Sequence, residues 1–134
     1  MIAPRFTTAP TLADLEGLAD RALTALPAAF LAPIGGVAIR VEDFPDEETI
    51  EEMDLESEFD LLGLYRGVDL AHGSLHDVRT SLDVILLYRR PILDYWCESG
   101  ETLSDIVRHV LIHEIGHHLG LSDDDMERIE ASAG

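Results

Sequence analysis

Between Leu103 and Leu119 the polar positions thin out along the chain. Ser104, Asp105 and Arg108 share one arc of a helical wheel drawn at about 100° per residue, but from Val110 onward apolar residues come round almost the whole circumference. The pattern predicts a helix whose second half is buried, with Thr102 and Asp105 placed to cap its start. His113 and His117 fall on the arc of Ile106 and Val110, so the wheel points both imidazoles into the protein.

The other elements follow from the same reasoning. Thr11 and Asp14 form a capping-box pattern ahead of Leu12, Leu15, Ala19, Ala22, Leu23 and Leu26 at helical spacing, which predicts a first helix to about Phe30, bent at Pro27 and ended by Pro33 with Gly35 and Gly36. Residues 1–10 read as a loose arm. Val37 to Val41 reads as a first strand, Leu61 to Gly67 as a second and Val84 to Tyr88 as a third. A short helix from Asp46 to Met53, anchored by Phe44, Ile50, Met53 and Phe59, fills the first connection. The second connection, Val68 to Ser81, has room for an irregular edge strand and contains His72, His76 and Asp77, of which the two histidines read as loop or substrate-contacting residues. Pro91 suits the first turn of a helix over Ile92 to Cys97 that buries Ile92, Leu93 and Trp96. A last helix runs from about Asp123 to Ala131 behind a Ser122/Asp125 cap, with Met126 as a packing residue. The sum is a single α+β domain over residues 1–134, with a small mixed sheet of three to four strands against an N-terminal helix and the buried helix.

The chemistry sits on that buried helix. His113-Glu114-Ile115-Gly116-His117 continues through Gly120 to Asp123, giving H-E-x-x-H-x-x-G-x-x-D. Histidines four apart on a helix lie about 40° apart around its axis and can converge on one metal ion. Glu114, on the adjoining arc, is placed to meet a water held by that ion. Gly120 can end the helix in the left-handed conformation and turn the chain back, bringing Asp123 up as a third ligand. Asp124 and Glu127 are substitutes, and Asp123 also reads as a first-turn acid of the following helix. Three protein ligands with one open position is the arrangement of catalytic zinc. His109 lies eight residues from His117, about 12 Å of helix rise, and reads as a neighbour of the site. His118 points elsewhere, and Cys97 reads as a small buried hydrophobe.

Charge narrows the partners. Nine arginines and no lysine face 27 acids, for a net charge of −18. Eleven of those acids lie between Glu42 and Asp60, without the spacing of a calcium loop. Such a surface repels nucleic acid and anionic membrane. Lone Cys97 permits no internal disulfide, and no stretch has the length of a signal peptide or membrane span, so the chain reads as cytoplasmic; a monomer is compatible with the sequence.

Three stretches, Asp60 to Gly67 (DLLGLYRG), Asp83 to Trp96 (DVILLYRRPILDYW) and Val107 to Met126 (VRHVLIHEIGHHLGLSDDDM), resemble the small bacterial single-domain zincin-like metallopeptidases. The resemblance implies a minimal zincin fold, His113 and His117 as zinc ligands, Glu114 as general base and Asp123 as third ligand. It further implies hydrolysis of peptide bonds in a peptide or unfolded protein by a zinc-activated water. Two alternatives stay open: a zincin-shaped metal-binding or interaction module without useful turnover, and a metal-dependent amidase acting on a non-peptide substrate.

Overall fold

The computed structural model describes residues 7–67 and 83–133. The connection with His72, His76 and Asp77, where an edge strand was expected, falls outside the described residues.

The first helix, α1 (Leu12–Ala25), starts at Thr11, whose hydroxyl accepts from Asp14 N–H while the Asp14 carboxylate accepts from Thr11 N–H at 2.8 Å. It ends earlier than the hydrophobic spacing predicts. Leu26 turns extended before Pro27, and a separate short helix, α2 (Ala28–Leu31), follows. The residue ahead of a proline is pushed out of the helical region, so Pro27 breaks the helix where a bend was expected. Leu15, Leu18, Ala19, Leu26 and Phe30 nonetheless share the core. The arm before α1 is pinned at its near end: Pro10 is fully buried and its carbonyl accepts from Arg89 Nε at 2.6 Å.

Next come β1 (Val37–Glu42) and α3 (Glu47–Glu52), the latter capped by Asp46, whose carboxylate accepts from Thr49 N–H at 2.8 Å. Of its expected anchors, Met53 and Phe59 are exposed; Thr49 is the residue that α3 buries. Phe59 instead meets Phe44 edge to face at 5.1 Å. Among the described residues, β2 (Gly63–Arg66) and β3 (Asp83–Tyr88) form with β1 a three-stranded sheet in the order β1-β3-β2, with β3 parallel to β1 and antiparallel to β2.

Register decides which side chains reach the helices. Ile39 and Tyr65 flank Ile85, and Val41 and Gly63 flank Leu87, so these residues share one face of the sheet. Ile85 and Leu87 are fully buried, whereas Val84 and Leu86 on the opposite face are only partly so. After α4 (Arg89–Ser99), which begins two residues ahead of Pro91 and ends on left-handed Gly100, the helix α5 (Leu103–His118) packs against the covered face, alongside α1. Ile106, Val107, Val110, Leu111, Ile112 and Ile115 of α5 all lie in the core. On α4, Ile92 is buried and Leu93 and Trp96 partly so, but Cys97 is exposed, contrary to the expectation of a buried thiol. It sits on the outer side of an amphipathic helix, a position its size did not reveal.

Two glycines set how close α5 is approached. A Cβ on Gly63 would come within 2.6 Å of Val110 Cγ1, so only glycine lets β2 lie this near the helix. On the other side, a Cβ on Gly116 would fall 2.7 Å from Met126 Cγ of α6 (Asp123–Ala133). Met126 is fully buried against that bare stretch of backbone, the packing role expected of it.

Candidate functional site

The hinge between α5 and α6 is built as the motif requires. Gly120 takes φ +74°, its N–H donates to the His117 carbonyl at 3.1 Å, and Leu121 N–H donates to the Gly116 carbonyl at 2.9 Å. These paired bonds past a left-handed glycine are the Schellman arrangement, which turns the chain back along the helix it has just left. Ser122 then caps α6 and exchanges hydrogen bonds with Asp125, leaving Asp123, Asp124 and Asp125 in the first turn.

His113 is the hub of what this fold assembles. Its ring stands 4.0 Å from that of His109 and 5.8 Å from that of His117, the second pair nearly perpendicular at 79°. Its Nε2 lies 3.5 Å from Oε1 of Glu130, a residue of α6, and the charges of His117 and Asp123 also reach it. Burial holds the His113 imidazole below its ordinary 6.5; His109 and His117 push the same way, against the pull of Glu130 and Asp123. A neutral imidazole with a free lone pair is the form a metal takes up.

Glu114 faces the sheet side of α5. Burial raises its carboxyl above the ordinary 4.5, while the neighbouring His117 and a hydrogen bond from the Tyr65 backbone N–H pull it down. That N–H is available because of the sheet register. Tyr88 N–H donates to the Leu62 carbonyl, so in an antiparallel ladder Leu62, Leu64 and Arg66 turn their amides towards β3, while Gly63 and Tyr65 turn theirs outward. The edge of β2 therefore holds the Glu114 carboxylate. The Tyr65 ring stacks on His118 at 3.9 Å between centroids, and its hydroxyl donates to Asp83 at 2.6 Å.

Not every expected position agrees with the wheel. His113 is partly buried, but His117 is exposed, although the wheel pointed both inward. A helical wheel assigns an arc and is silent on what covers it at each level. Among the described residues, the group of metal-ligating side chains whose donor atoms all lie within 4.8 Å of one another is His109, His113 and Glu130. Asp123 and His117 reach His113 electrostatically without joining that group.

Glu130 was invisible to the motif reading. It lies outside H-E-x-x-H-x-x-G-x-x-D, and only the angle between α5 and α6 returns it to His113. The one available signal was its spacing: Met126 and Glu130, four apart, share the side of α6 that faces α5.

The donors present suit zinc. Two imidazoles and a carboxylate are its usual protein ligands; the His113 Nε2···Glu130 Oε1 separation of 3.5 Å is close to the edge of about 3.3 Å between two ligands on a tetrahedral ion with bonds near 2.0 Å, whereas His109 Nδ1 at 2.5 Å from the same oxygen has to draw back to admit an ion. Glu130 Oε1 is buried, lies against His109 Nδ1 and His113 Nε2, and accepts no well-formed hydrogen bond.

A groove of about 700 Å³ between α2 and α6 is lined by Pro27, Phe30, Leu119, Leu121 and Ile129 and by none of the motif's charged groups. No described helix is long and apolar enough to cross a membrane. A search of curated protein sequences finds no match to the chain. The profile of the zincin-like metallopeptidases matches residues 34–133, from the loop before β1 to the end of α6, so this chain belongs to the zincin-like metallopeptidase family.

Proposed function

We propose that the protein is a zinc-dependent peptidase in which His113 and His117 hold the metal, Asp123 completes the ligand set and Glu114 is the general base. The observation that carries this reading is the state of Glu114: a carboxylate drawn out of water, one residue from His113, with its basicity raised by burial. A structural metal site has no need of such a group.

Zinc bound at these side chains supplies Lewis-acid polarisation of a carbonyl and of the attacking water. Glu114 takes the proton of that water on a carboxylate oxygen and later returns it to the leaving amine. The Tyr65 N–H restrains the carboxylate's orientation. Among the described residues β2 lies at the edge of the sheet, and the outward amide and carbonyl of Gly63 suit backbone pairing with an extended peptide segment. The substrate class supported by this geometry is thus an unfolded or extended peptide.

Glu114→Gln separates binding from chemistry, because the amide keeps the shape and still accepts from Tyr65. The variant should retain zinc by elemental analysis and lose roughly 10²–10⁴-fold in turnover of an unstructured peptide. Unchanged turnover would remove Glu114 as the base.

A further inference from the structure

The histidine stripe on α5 is longer than the motif. His109, His113 and His117 follow one another at intervals of four, and the proposed peptidase site uses the last two. His109 and Glu130 have no part in it. Yet Glu130 Oε1 lies 2.5 Å from His109 Nδ1 and 3.5 Å from His113 Nε2, in a place where it accepts no well-formed hydrogen bond.

A carboxylate oxygen withdrawn from water costs free energy unless a partner compensates, and a carboxylate alone can offer only lone pairs. The nitrogens facing it, His109 Nδ1 and His113 Nε2, each offer a lone pair in one tautomer of the ring. Three such atoms, all within 4.8 Å of one another, converge on a position that a cation can fill. His109 has 53% of its side chain exposed and so leaves the group open to an ion from solvent, while Glu130, 29% exposed, fixes the inner wall.

We propose that His109, His113 and Glu130 form a second divalent-cation position, one helical turn up α5 from the catalytic one and sharing His113 with it. The two positions exclude each other, since the Nε2 lone pair of His113 serves one ion at a time. Two nitrogens and one carboxylate select a borderline ion such as zinc or cobalt; calcium and magnesium require more oxygen ligands than the group has. The chain therefore binds a single ion that has two alternative seats. This inference rests on the metal reading above only through His113.

The test is a titration of the full, metal-stripped chain with zinc by calorimetry and with cobalt by visible absorption. It compares the parent, His117→Ala, Glu130→Gln and the double variant, with circular dichroism to confirm folding. His117→Ala removes the catalytic seat and should still bind one ion per chain, with the His109 ring resonance shifting on addition of zinc. Adding Glu130→Gln to it should weaken that binding by at least about tenfold, given that losing even an outer-shell partner costs about 10–100-fold. A parent that binds one ion while His117→Ala binds none overturns the second seat and leaves the catalytic reading standing. Equal affinity of His117→Ala with and without Glu130→Gln also overturns it. A parent that takes up no ion overturns both.

Discussion

Glu114 shows how one side chain joins stability to chemistry. Its carboxyl is raised above the ordinary 4.5, chiefly by burial. An acid with a raised pKa in the folded chain contributes its stability fully below the unfolded value and loses that contribution as the pH climbs through the folded value. In the metal-free protein the charged Glu114 is therefore a cost at neutral pH. Glu114→Gln removes the cost, so its thermal midpoint at pH 7 should exceed the parent's, and the gap should close as the pH is lowered towards 4.5. His113, held low mainly by burial, titrates in both proteins and cancels from the comparison. A gap that stays constant with pH would mean that the carboxyl is not strained by its surroundings.

At the scale of elements, the site depends on how α6 lies along α5. Left-handed Gly120 sets the direction of return, and Gly116 sets the distance by leaving room for Met126. That seating carries Asp123 at one end of α6 and Glu130 towards the other. Gly116→Ala drives a methyl group into the Met126 side chain in the middle of its length, where bending away is costly. The expected loss is about 1–3 kcal/mol in denaturant unfolding. Because the clash is a pair property, adding Met126→Ala should cost less than it does alone, giving a coupling of about 0.5–3 kcal/mol in a double-mutant cycle. Strict additivity would show that the helices adjust freely. The same displacement should loosen zinc binding without touching a ligand.

For the whole molecule the dominant fact is charge. With 27 acids against nine arginines, the folded chain carries −18. Few of the described cations are spent inside; Arg89 is the best tied, donating to Pro10 O and at 3.1 Å to Asp43. Self-repulsion on this scale destabilises a compact state, and salt screens it. Raising sodium chloride from about 0.01 M to about 0.15 M shortens the Debye length from about 30 Å to about 8 Å. The thermal midpoint of the metal-free protein should rise over that range; a flat or falling midpoint would show that the acids are spaced widely enough not to matter.

Local rules were sufficient wherever a contact closes within a few residues. The caps at Thr11, Thr102 and Ser122, the left-handed Gly120 and the three strands were all legible, because each depends on neighbours three or four positions away or on period-two alternation. The motif marked His113, Glu114 and His117 as a group because helical pitch alone brings them to adjoining arcs. What packing settled was of another kind. Whether His117 or Cys97 is covered depends on which element lies over each level of its helix, and both proved exposed. That β2 turns the Tyr65 N–H to Glu114 follows from strand register between residues far apart in sequence. Glu130 reaches His113 only because glycine at 116 admits Met126 and sets the crossing of two helices. Short-range periodicity determines which residues share a face; what that face meets is a property of long-range packing.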